Sequence, residues 1–554
     1  MAGNLTSQTP QRSNPRSKQG CWTCREKKVK CDEEQPTCQR CRRLCRDCDY
    51  SPRPRRPYTR KRPPHPPHES PQPPRGQSEG IASTTVPRVS DKPTSPLAPT
   101  ISPTASITHQ SSSNGESSPG VFRPCAADQE AIHYFRTAIS KSVDTKDVAF
   151  SVPSIIASRA ETEPMVMHMV CALGIQEQCY QQGADPCAAV EHYNPAMVLL
   201  AKAIQGPTQK HPEYLDNILA TLWLMIIYEQ RYGDGCGLGL IAHLKGAAMF
   251  LQHRLSNLRD LLDRSFSEAD EHWHISPFAG RMIVWIAFLD ASAESHQLGG
   301  DFNRALGAAM TGLAENGILS RLRGFTAIHR YSVTLPLSIW GPEYPQTQFL
   351  EDLESREIFY CYGECGQMRH VLAQLADAHE SDPLQMDPLP VARALHDIGQ
   401  RYSEILGAAR RLDLAVAGDR KRFVINIRFV VPFYHAVLLW YFRITAAAKP
   451  FRFKDKQCQA LDEIFTIAYQ AYRDEGETAM ARIAWPLFMA AIETDDLAHQ
   501  DWVTRRFAHL RHQGENYRRA EKALLFIISN QQMRKARVGL VSEFRSGKLE
   551  RFMI

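Results

Sequence analysis

The chain has 554 residues, of which 43% are hydrophobic and 9% aromatic, and its formal net charge is +6. This length exceeds what one compact core covers, and the composition is that of a folded protein, so we expect two or more structural units. The apolar runs are shorter than the roughly 20 residues that cross a bilayer, and the first residues lack a secretory signal. We therefore expect an intracellular protein with no membrane partner.

The positive charge is concentrated near the N-terminus. From Arg12 to Arg62 there are 17 Lys and Arg against 6 Asp and Glu, so the remainder of the chain is slightly acidic. A basic arm beside a nearly neutral body predicts a polyanionic partner at one end. Residues 1–20 are polar and aperiodic, and we expect a disordered N-terminus there.

Cysteines crowd the segment that follows. Seven of the 15 lie between Cys21 and Cys48. The spacing x2 then x6 occurs twice, and Cys45 is out of frame with this repeat, whose members are Cys21, Cys24, Cys31, Cys38, Cys41 and Cys48. Two tetrahedral zinc ions need eight ligand positions, which six thiolates fill if two of them bridge. The spacing thus predicts a module over residues 21–50 that binds two zinc ions through these six cysteines.

Two other interpretations of the cysteines stay open. A single-zinc ribbon would use Cys21, Cys24, Cys38 and Cys41, and would leave Cys31 and Cys48 without a role. A disulfide framework is disfavoured in a chain without a secretory signal, because the intracellular compartment is reducing.

The module resembles the fungal binuclear zinc cluster family of transcription factors. The resemblance covers residues 20–52 and rests on the string Cys-x2-Cys-Arg-x-Lys-Lys-Val-Lys-Cys-Asp, on Pro36 and on the repeated cysteine spacing. It implies that Cys21 and Cys38 bridge the ions, and that a short helix enters the major groove and reads a CGG-type triplet. Lys28 matches the base-contacting position, and lysine suits guanine because O6 and N7 are both acceptors. The resemblance also implies double-stranded DNA as partner and a location in the nucleus.

Other cations in and after the module are expected to hold phosphate. Two zinc ions and six thiolates sum to about −2, so Lys and Arg must supply the attraction for DNA. The DNA-binding candidates are Arg25, Lys27, Lys28, Lys30, Arg40, Arg42 and Arg43. A second basic cluster is predicted to be a nuclear-localisation signal, a phosphate-contacting tail, or both, and consists of Arg53, Arg55, Arg56, Arg60, Lys61 and Arg62.

Residues 51–124 are expected to be a disordered linker with this basic start. They hold 17 of the 36 prolines, many Ser and Thr, and almost no aliphatic residues, so they bury too little surface to offset chain entropy. No heptad repeat follows the module, so a coiled-coil dimer is not predicted. A homodimer, if one forms, is expected to use the domain that follows.

Residues 128–535 are predicted to form a large all-α domain, followed by a C-terminal tail over residues 536–554. Apolar residues recur at three- and four-residue spacing in six windows: Glu213–Arg231, Leu240–Arg254, Leu350–His379, Val391–Leu406, Gln457–Arg473 and Asn516–Gln531. Segments such as LDNILATLWLMIIYEQRYGDG and NIRFVVPFYHAVLLWYFR resemble the regulatory middle-homology domain of filamentous-fungal members of the family. That resemblance implies a domain that represses, dimerises or senses a metabolite, without specifying an effector.

Catalytic motifs are absent from the sequence, so an enzyme is not expected. There is no phosphate-binding glycine loop, no G-x-S-x-G and no H-E-x-x-H. The pairs His272/His274 and Cys361/Cys365 lack further ligands nearby. An aromatic run is expected to be core: Tyr434, Trp440, Tyr441 and Phe442. The favoured hypothesis is a DNA-binding, pathway-specific activator, for example of a secondary-metabolite gene cluster; the alternative is a cytosolic helical sensor whose zinc module binds RNA or protein.

Overall fold

A computed structural model describes residues 124–140, 145–206, 212–265, 275–311, 317–381, 387–446 and 454–554. In the cysteine-rich segment it describes residues 31–35 together with Cys21, Trp22, Cys24, Val29, Cys38, Cys41 and Cys48. The chain divides into two units, Met1–Ser112 and Ser113–Ile554. The predicted disordered N-terminus, and the predicted linker as far as residue 123, lie outside the described residues and stay predictions.

The second unit is helical, and its described residues contain no β-strand. Its described α-helices are α1 (Ala126–Tyr134), α2 (Val152–Arg159), α3 (Pro164–Gln182), α4 (Cys187–Gln205), α5 (Pro212–Tyr232), α6 (Leu238–Arg254), α7 (Leu258–Ser265), α8 (Pro277–Glu294), α9 (Asp301–Thr311), α10 (Ile318–Ser332), α11 (Leu335–Trp340), α12 (Gln346–Ser381), α13 (Leu389–Arg401), α14 (Ser403–Ala408), α15 (Lys421–Ala446), α16 (Lys454–Glu475), α17 (Glu477–Arg482), α18 (Ala484–Glu493), α19 (Leu497–Leu510), α20 (Glu515–Arg534) and α21 (Leu540–Arg545). The predicted large all-α domain is confirmed.

Local sequence signals account for several helix ends. The side chain of Ser276 accepts a hydrogen bond from the Ala279 N–H at the start of α8, where Pro277 takes the first helical position. Both residues are favoured there, because the first turn has unpaired N–H groups and proline has no N–H to leave unpaired. Helix α3 ends at Gly183, whose φ of 64° lies in the left-handed region that glycine adopts without strain.

The periodic windows of the sequence correspond to helices. Five of the six fall within or nearly within one helix each, α5, α6, α12, α16 and α20. The window Val391–Leu406 is instead divided between α13 and α14, because Tyr402 leaves the helical conformation with a φ of −104° and a ψ of 19°. Residues 233–237 separate α5 from α6, and α6 begins after Gly237 at a φ of 69°.

Two hydrophobic cores share the helical unit. The first is built mainly by α2 to α10 and the second mainly by α12 to α20. Helix α10 contributes to both, with Leu322 in the second core and Phe325 and Ile328 in the first. The predicted aromatic core residues Tyr434, Trp440, Tyr441 and Phe442 are all buried in the second core, as are Cys361 and Cys365.

The residues after 535 belong to the helical domain. Residues 536–554 were predicted to be a C-terminal tail. Phe552 is buried in the second core and Met553 in the first, so two adjacent residues contact both cores. The Asn516 carboxamide on α20 accepts a hydrogen bond of 2.7 Å from the Met553 N–H. The final segment therefore packs as core structure, and the domain extends beyond the predicted boundary.

Helix α15 is the most apolar long helix of the described chain. By length and composition the stretch Gly418–Thr445 meets the requirements of a membrane span. Most of that stretch is buried against other helices of the domain, and Pro432 and His435 lie within it. A helix that is apolar all round is also what the centre of a large folded domain requires, and the packing of α15 accounts for its composition.

Candidate zinc centre and nucleic-acid interface

Six cysteine sulfurs come together in the N-terminal unit. Cys21, Cys24, Cys31, Cys38 and Cys41 are buried, and Cys48 is half-buried. The Sγ–Sγ distances are 3.8 Å for Cys21–Cys38, 3.7 Å for Cys21–Cys41 and 3.8 Å for Cys21–Cys31. Four thiolates placed about 2.3 Å from one zinc ion in a tetrahedron lie about 3.8 Å apart. The sulfurs therefore have the spacing of zinc ligands.

The sulfurs form two overlapping groups of four. One group contains Cys21, Cys24, Cys31 and Cys38, and the other contains Cys21, Cys38, Cys41 and Cys48. Within each group every sulfur lies within 4.8 Å of the others. The shared members are Cys21 and Cys38. Six thiolates thus supply two sets of four when these two are counted in both.

The two halves of the module repeat the same backbone hydrogen bond. The Cys24 N–H donates to Cys21 Sγ over 3.4 Å, and the Cys41 N–H donates to Cys38 Sγ over 3.3 Å. Each donor lies three residues after its acceptor. It directs a partially positive hydrogen at a sulfur that belongs to both groups of four. Such donors favour a thiolate over a thiol. The repeat seen in the sequence is thus also a repeat of local structure.

Burial opposes ionisation of the Cys21, Cys24 and Cys41 thiols in the absence of a cation. Burial raises the pKa of Cys24, and it raises the pKa of Cys41 to about 12. At Cys38 burial also raises the pKa, but the Cys41 N–H and neighbouring thiols outweigh it and lower the value to about 6. Zinc binds thiolates and displaces their protons, so metal binding and deprotonation occur together.

The disulfide interpretation does not fit the cluster. An S–S bond is about 2.05 Å long, whereas the Cys24–Cys38 and Cys24–Cys41 sulfurs are 3.8 Å and 3.9 Å apart. All six cysteines are free thiols. The ribbon interpretation leaves Cys31 and Cys48 without a role, yet each of them completes one of the two groups of four.

The predicted DNA contacts lie outside the described residues. This holds for the module cations Arg25, Lys27, Lys28, Lys30, Arg40, Arg42 and Arg43, and for the basic cluster Arg53, Arg55, Arg56, Arg60, Lys61 and Arg62. Cys45 and the His272/His274 pair also lie outside them. Their assignments stay predictions.

A third group of possible metal ligands lies in the helical domain and was not predicted. Asp128, Cys171 and His192 come within 4.8 Å of one another. His192 Nε2 already lies 3.0 Å from Asp128 Oδ1, and its Nδ1 lies 3.0 Å from His168 Nδ1. These residues come from α1, α3 and α4, and no short motif links them, so the sequence gives no signal for the group. We interpret it as a buried hydrogen-bond network.

Together, the clustered thiolates and the large helical domain define the class of zinc-dependent DNA-binding regulators. The family model described as "Fungal Zn(2)-Cys(6) binuclear cluster domain" matches residues 19–57. The family model described as "Fungal specific transcription factor domain" matches residues 131–527. The chain therefore belongs to the fungal Zn(2)-Cys(6) transcription factors, and its cluster domain binds two zinc ions. No curated relative and no solved structure matched the chain.

The family membership sets the general function. The protein is a fungal DNA-binding transcription factor, DNA is its partner, and the family implies a nuclear protein. The cysteine spacing was a sufficient signal for this conclusion, because it is shared by few other zinc modules.

Proposed function

We propose that this protein is a sequence-specific RNA polymerase II transcription factor that reads CGG-type sites through its two-zinc cluster. The observation that carries the proposal is the pair of sulfur groups that share Cys21 and Cys38. In this assignment those two thiolates bridge the ions, and the terminal ligands are Cys24, Cys31, Cys41 and Cys48. Zinc supplies the folding energy of a module too small to have a hydrophobic core of its own.

Base reading is assigned to Lys28, with Lys27 beside it. The assignment follows from the position of Lys28 between Cys24 and Cys31 in the first half of the repeat. The other module cations, Arg25, Lys30, Arg40, Arg42 and Arg43, contact phosphates and position the module without specifying sequence. The acidic cluster of thiolates makes these cations necessary, because phosphate is otherwise repelled.

The segment after the module serves nuclear import and phosphate contact. Arg53, Arg55, Arg56, Arg60, Lys61 and Arg62 carry six positive charges within ten residues. Such a density of cations suits both recognition by import receptors and non-specific attraction to DNA. The remaining linker, to residue 124, lets the module search DNA while the helical domain acts separately.

The helical domain regulates the strength or timing of transcription and does not catalyse a reaction. Its slightly acidic charge and the lack of a basic stripe in its sequence argue against a second DNA-reading surface. Homodimerisation, where it occurs, uses this domain. The regulated genes belong to one pathway, for example a secondary-metabolite gene cluster, and the protein acts on them as an activator.

A binding assay on the full chain separates this proposal from a cytosolic sensor that binds RNA or protein. Fluorescence anisotropy with a duplex containing a CGG triplet, the same duplex with the triplet scrambled, and a single-stranded RNA gives three affinities. The proposal requires the CGG duplex to bind tightest by at least tenfold, because a mismatched base pair typically costs about 1–3 kcal/mol. Preference for RNA, or equal affinity for all three, would support the alternative.

A further inference from the structure

A large cavity lies within the helical domain, between its two hydrophobic cores. Its volume is about 470 Å³, within the roughly 300–1,000 Å³ of sites that hold small organic molecules. Helix α8 lines it on the side of the first core, and α15 and α18 line it on the side of the second. Helix α12 also lines the cavity.

Aromatic rings form a continuous wall of this cavity. Phe288 on α8 lies 4.9 Å from Tyr362 on α12, measured between ring centroids. Tyr362 lies 4.9 Å from Phe433 on α15, and Phe433 lies 4.7 Å from Trp485 on α18. The four rings all line the cavity. A row of aromatic rings favours a flat aromatic occupant over a flexible aliphatic one, because aromatic pairs gain energy in edge-to-face as well as offset-stacked contacts.

Arg369 places a guanidinium group beside this wall. It is buried on α12, and its guanidinium carbon lies 4.0 Å from the ring centroid of Trp485. Its Nε and Nη2 donate to Ser295 Oγ over 2.9 Å and 2.7 Å, and Nη2 also donates to the Ile554 carbonyl oxygen over 2.8 Å. The Ser295 hydroxyl is neutral, whereas Ile554 is the last residue of the sequence, so its oxygen carries part of a carboxylate charge. Arg369 is therefore paired and stacks on Trp485, and burial lowers its pKa to about 9.

Arg281 and Arg356 add two more guanidinium groups to the lining. Arg281 Nη2 donates to the Ser332 carbonyl oxygen over 2.9 Å, while its Nε is buried without a hydrogen-bond partner. Arg356 Nε is likewise buried without one. Neither arginine forms an ion pair with any carboxylate among the described residues.

The carboxylates of the same lining are already neutralised. Glu351 accepts two hydrogen bonds, of 2.9 Å and 2.8 Å, from Arg422 Nη1. Asp352 pairs with Lys146 and accepts a further hydrogen bond of 2.7 Å from the Tyr344 hydroxyl. The positive charges of Arg281 and Arg356 are thus left over, and an unpaired buried charge is costly unless an anion compensates it.

We propose that this cavity binds an aromatic organic acid, whose ring lies along the row from Phe288 to Trp485 and whose carboxylate pairs with Arg281 and is attracted by Arg356. Arginine suits this role because its planar fork matches a carboxylate and also stacks on aromatic rings. The inference rests on the proposed regulatory role of the helical domain and names the class of effector that it would sense.

The test uses the zinc-loaded full chain and three small probes. These are 2-naphthoate, the uncharged 2-naphthamide with the same rings, and decahydro-2-naphthoate with the same charge and no aromaticity. Tryptophan fluorescence reports binding, since Trp285 and Trp485 line the cavity, and thermal unfolding reports stabilisation by a ligand that binds the native state. We expect 2-naphthoate to bind and to raise the melting temperature, with an affinity at least about tenfold above either of the other probes, as expected for a hydrogen bond to a charged group.

Two variants and a matched control locate the site. Arg281→Gln and Arg356→Gln should each weaken 2-naphthoate binding about tenfold or more. Arg254→Gln is the control, because Arg254 donates to two carbonyl oxygens, those of Ile204 and Gly206, but does not line the cavity. It should bind 2-naphthoate as the unaltered chain does. If Arg356→Gln does not fold, Arg281→Gln and the comparison of probes on the unaltered chain decide the matter.

Each result either supports or overturns the inference. Absence of 2-naphthoate binding, equal binding of 2-naphthamide or the saturated acid, or equal weakening by Arg254→Gln would overturn it. Anisotropy with the CGG duplex, measured on the same samples, separates the two proposals. Intact DNA recognition without 2-naphthoate binding removes the effector site alone, whereas 2-naphthoate binding without DNA recognition overturns the proposed DNA-reading function.

Discussion

The Sγ atoms of Cys21 and Cys38 lie 3.8 Å apart, and both belong to each of the two groups of four sulfurs in the N-terminal unit. No other cysteine of the six shares this position. Each also accepts a hydrogen bond from the backbone N–H three residues later. In the proposed assignment this relationship divides the six cysteines into two bridging and four terminal ligands, and the division has measurable consequences.

The first prediction concerns zinc content. Cys21→Ser or Cys38→Ser should lower it from two ions to fewer than one per chain, because each thiolate serves both ions. Cys24→Ser removes a ligand from one group only, and should leave about one ion. Native mass spectrometry of the full chain counts the ions directly.

The controls for zinc content are Cys45→Ser and Cys171→Ser. Cys45 is out of frame with the repeat, and Cys171 lies within 4.8 Å of Asp128 and His192. Both variants should retain two ions. A chain that holds three ions and loses one in Cys171→Ser would show that the group in the helical domain is a metal site.

The second prediction separates base reading from phosphate contact. Lys28→Ala should cost about 1–3 kcal/mol at a CGG site and flatten the preference over a scrambled site. Arg43→Ala should weaken both duplexes alike and reduce the slope of log affinity against log salt by about one contact. Anisotropy titrations at several salt concentrations measure both quantities. Equal weakening of both duplexes by Lys28→Ala would remove the reading role from that residue.

The third prediction concerns the C-terminal segment. Phe552 is 2% exposed and packs against Phe488 and Phe544. Phe552→Ala should therefore lower the free energy of unfolding of the helical domain by about 3 kcal/mol. Met533→Ala is the control, since Met533 is 72% exposed on α20, and it should change stability by less than about 0.5 kcal/mol. Urea unfolding followed by circular dichroism at 222 nm compares them, and a Phe552→Ala chain as stable as the control would contradict the packing.

The role of Cys21 could be predicted from the sequence, whereas the burial of Phe552 could not, and the difference has a physical reason. Zinc ligation fixes residue types and spacing, so the cluster could be read from the order of cysteines alone. The periodic helices were predictable because one face of each is apolar. Phe552 and Met553 lie in an aperiodic segment, and their burial depends on a groove formed by distant helices. The cavity could not be predicted from the sequence for the same reason. Arg281 and Arg369 are charged residues of a type that is usually exposed, and only their neighbours in space show otherwise.

The fourth prediction concerns acid stability. Burial lowers the pKa of His296, His329 and His435 to about 3, below the value of about 6.5 in the unfolded chain. Between these pH values the unfolded state binds more protons at these histidines, so their contribution lowers the free energy of unfolding as pH falls from about 6.5 towards 3. Burial raises the pKa of Asp290 to about 6 and also raises the pKa of the carboxyl groups of Glu163, Asp216, Glu229 and Glu364. These carboxyl groups act in the opposite direction, so the comparison of histidine variants isolates the histidine contribution.

Urea unfolding at pH 7, 6 and 5 measures this dependence. Each buried histidine contributes up to about 1.4 kcal/mol per pH unit. His296→Gln should reduce the slope by about that amount, because glutamine does not titrate. The exposed His512 provides the control, and His512→Gln should leave the slope unchanged. An unchanged slope in His296→Gln would contradict the assignment of His296 as a buried neutral group.

The central claim is that two zinc ions organise a module that reads DNA. It is tested most directly by measuring the affinity of the full chain for a CGG-containing duplex before chelation, after chelation and after zinc is restored. The account predicts tight binding at the start, loss of at least about a hundredfold on chelation because the module unfolds without metal, and recovery when two equivalents of zinc are added. Binding that persists unchanged in the chelated chain would contradict it.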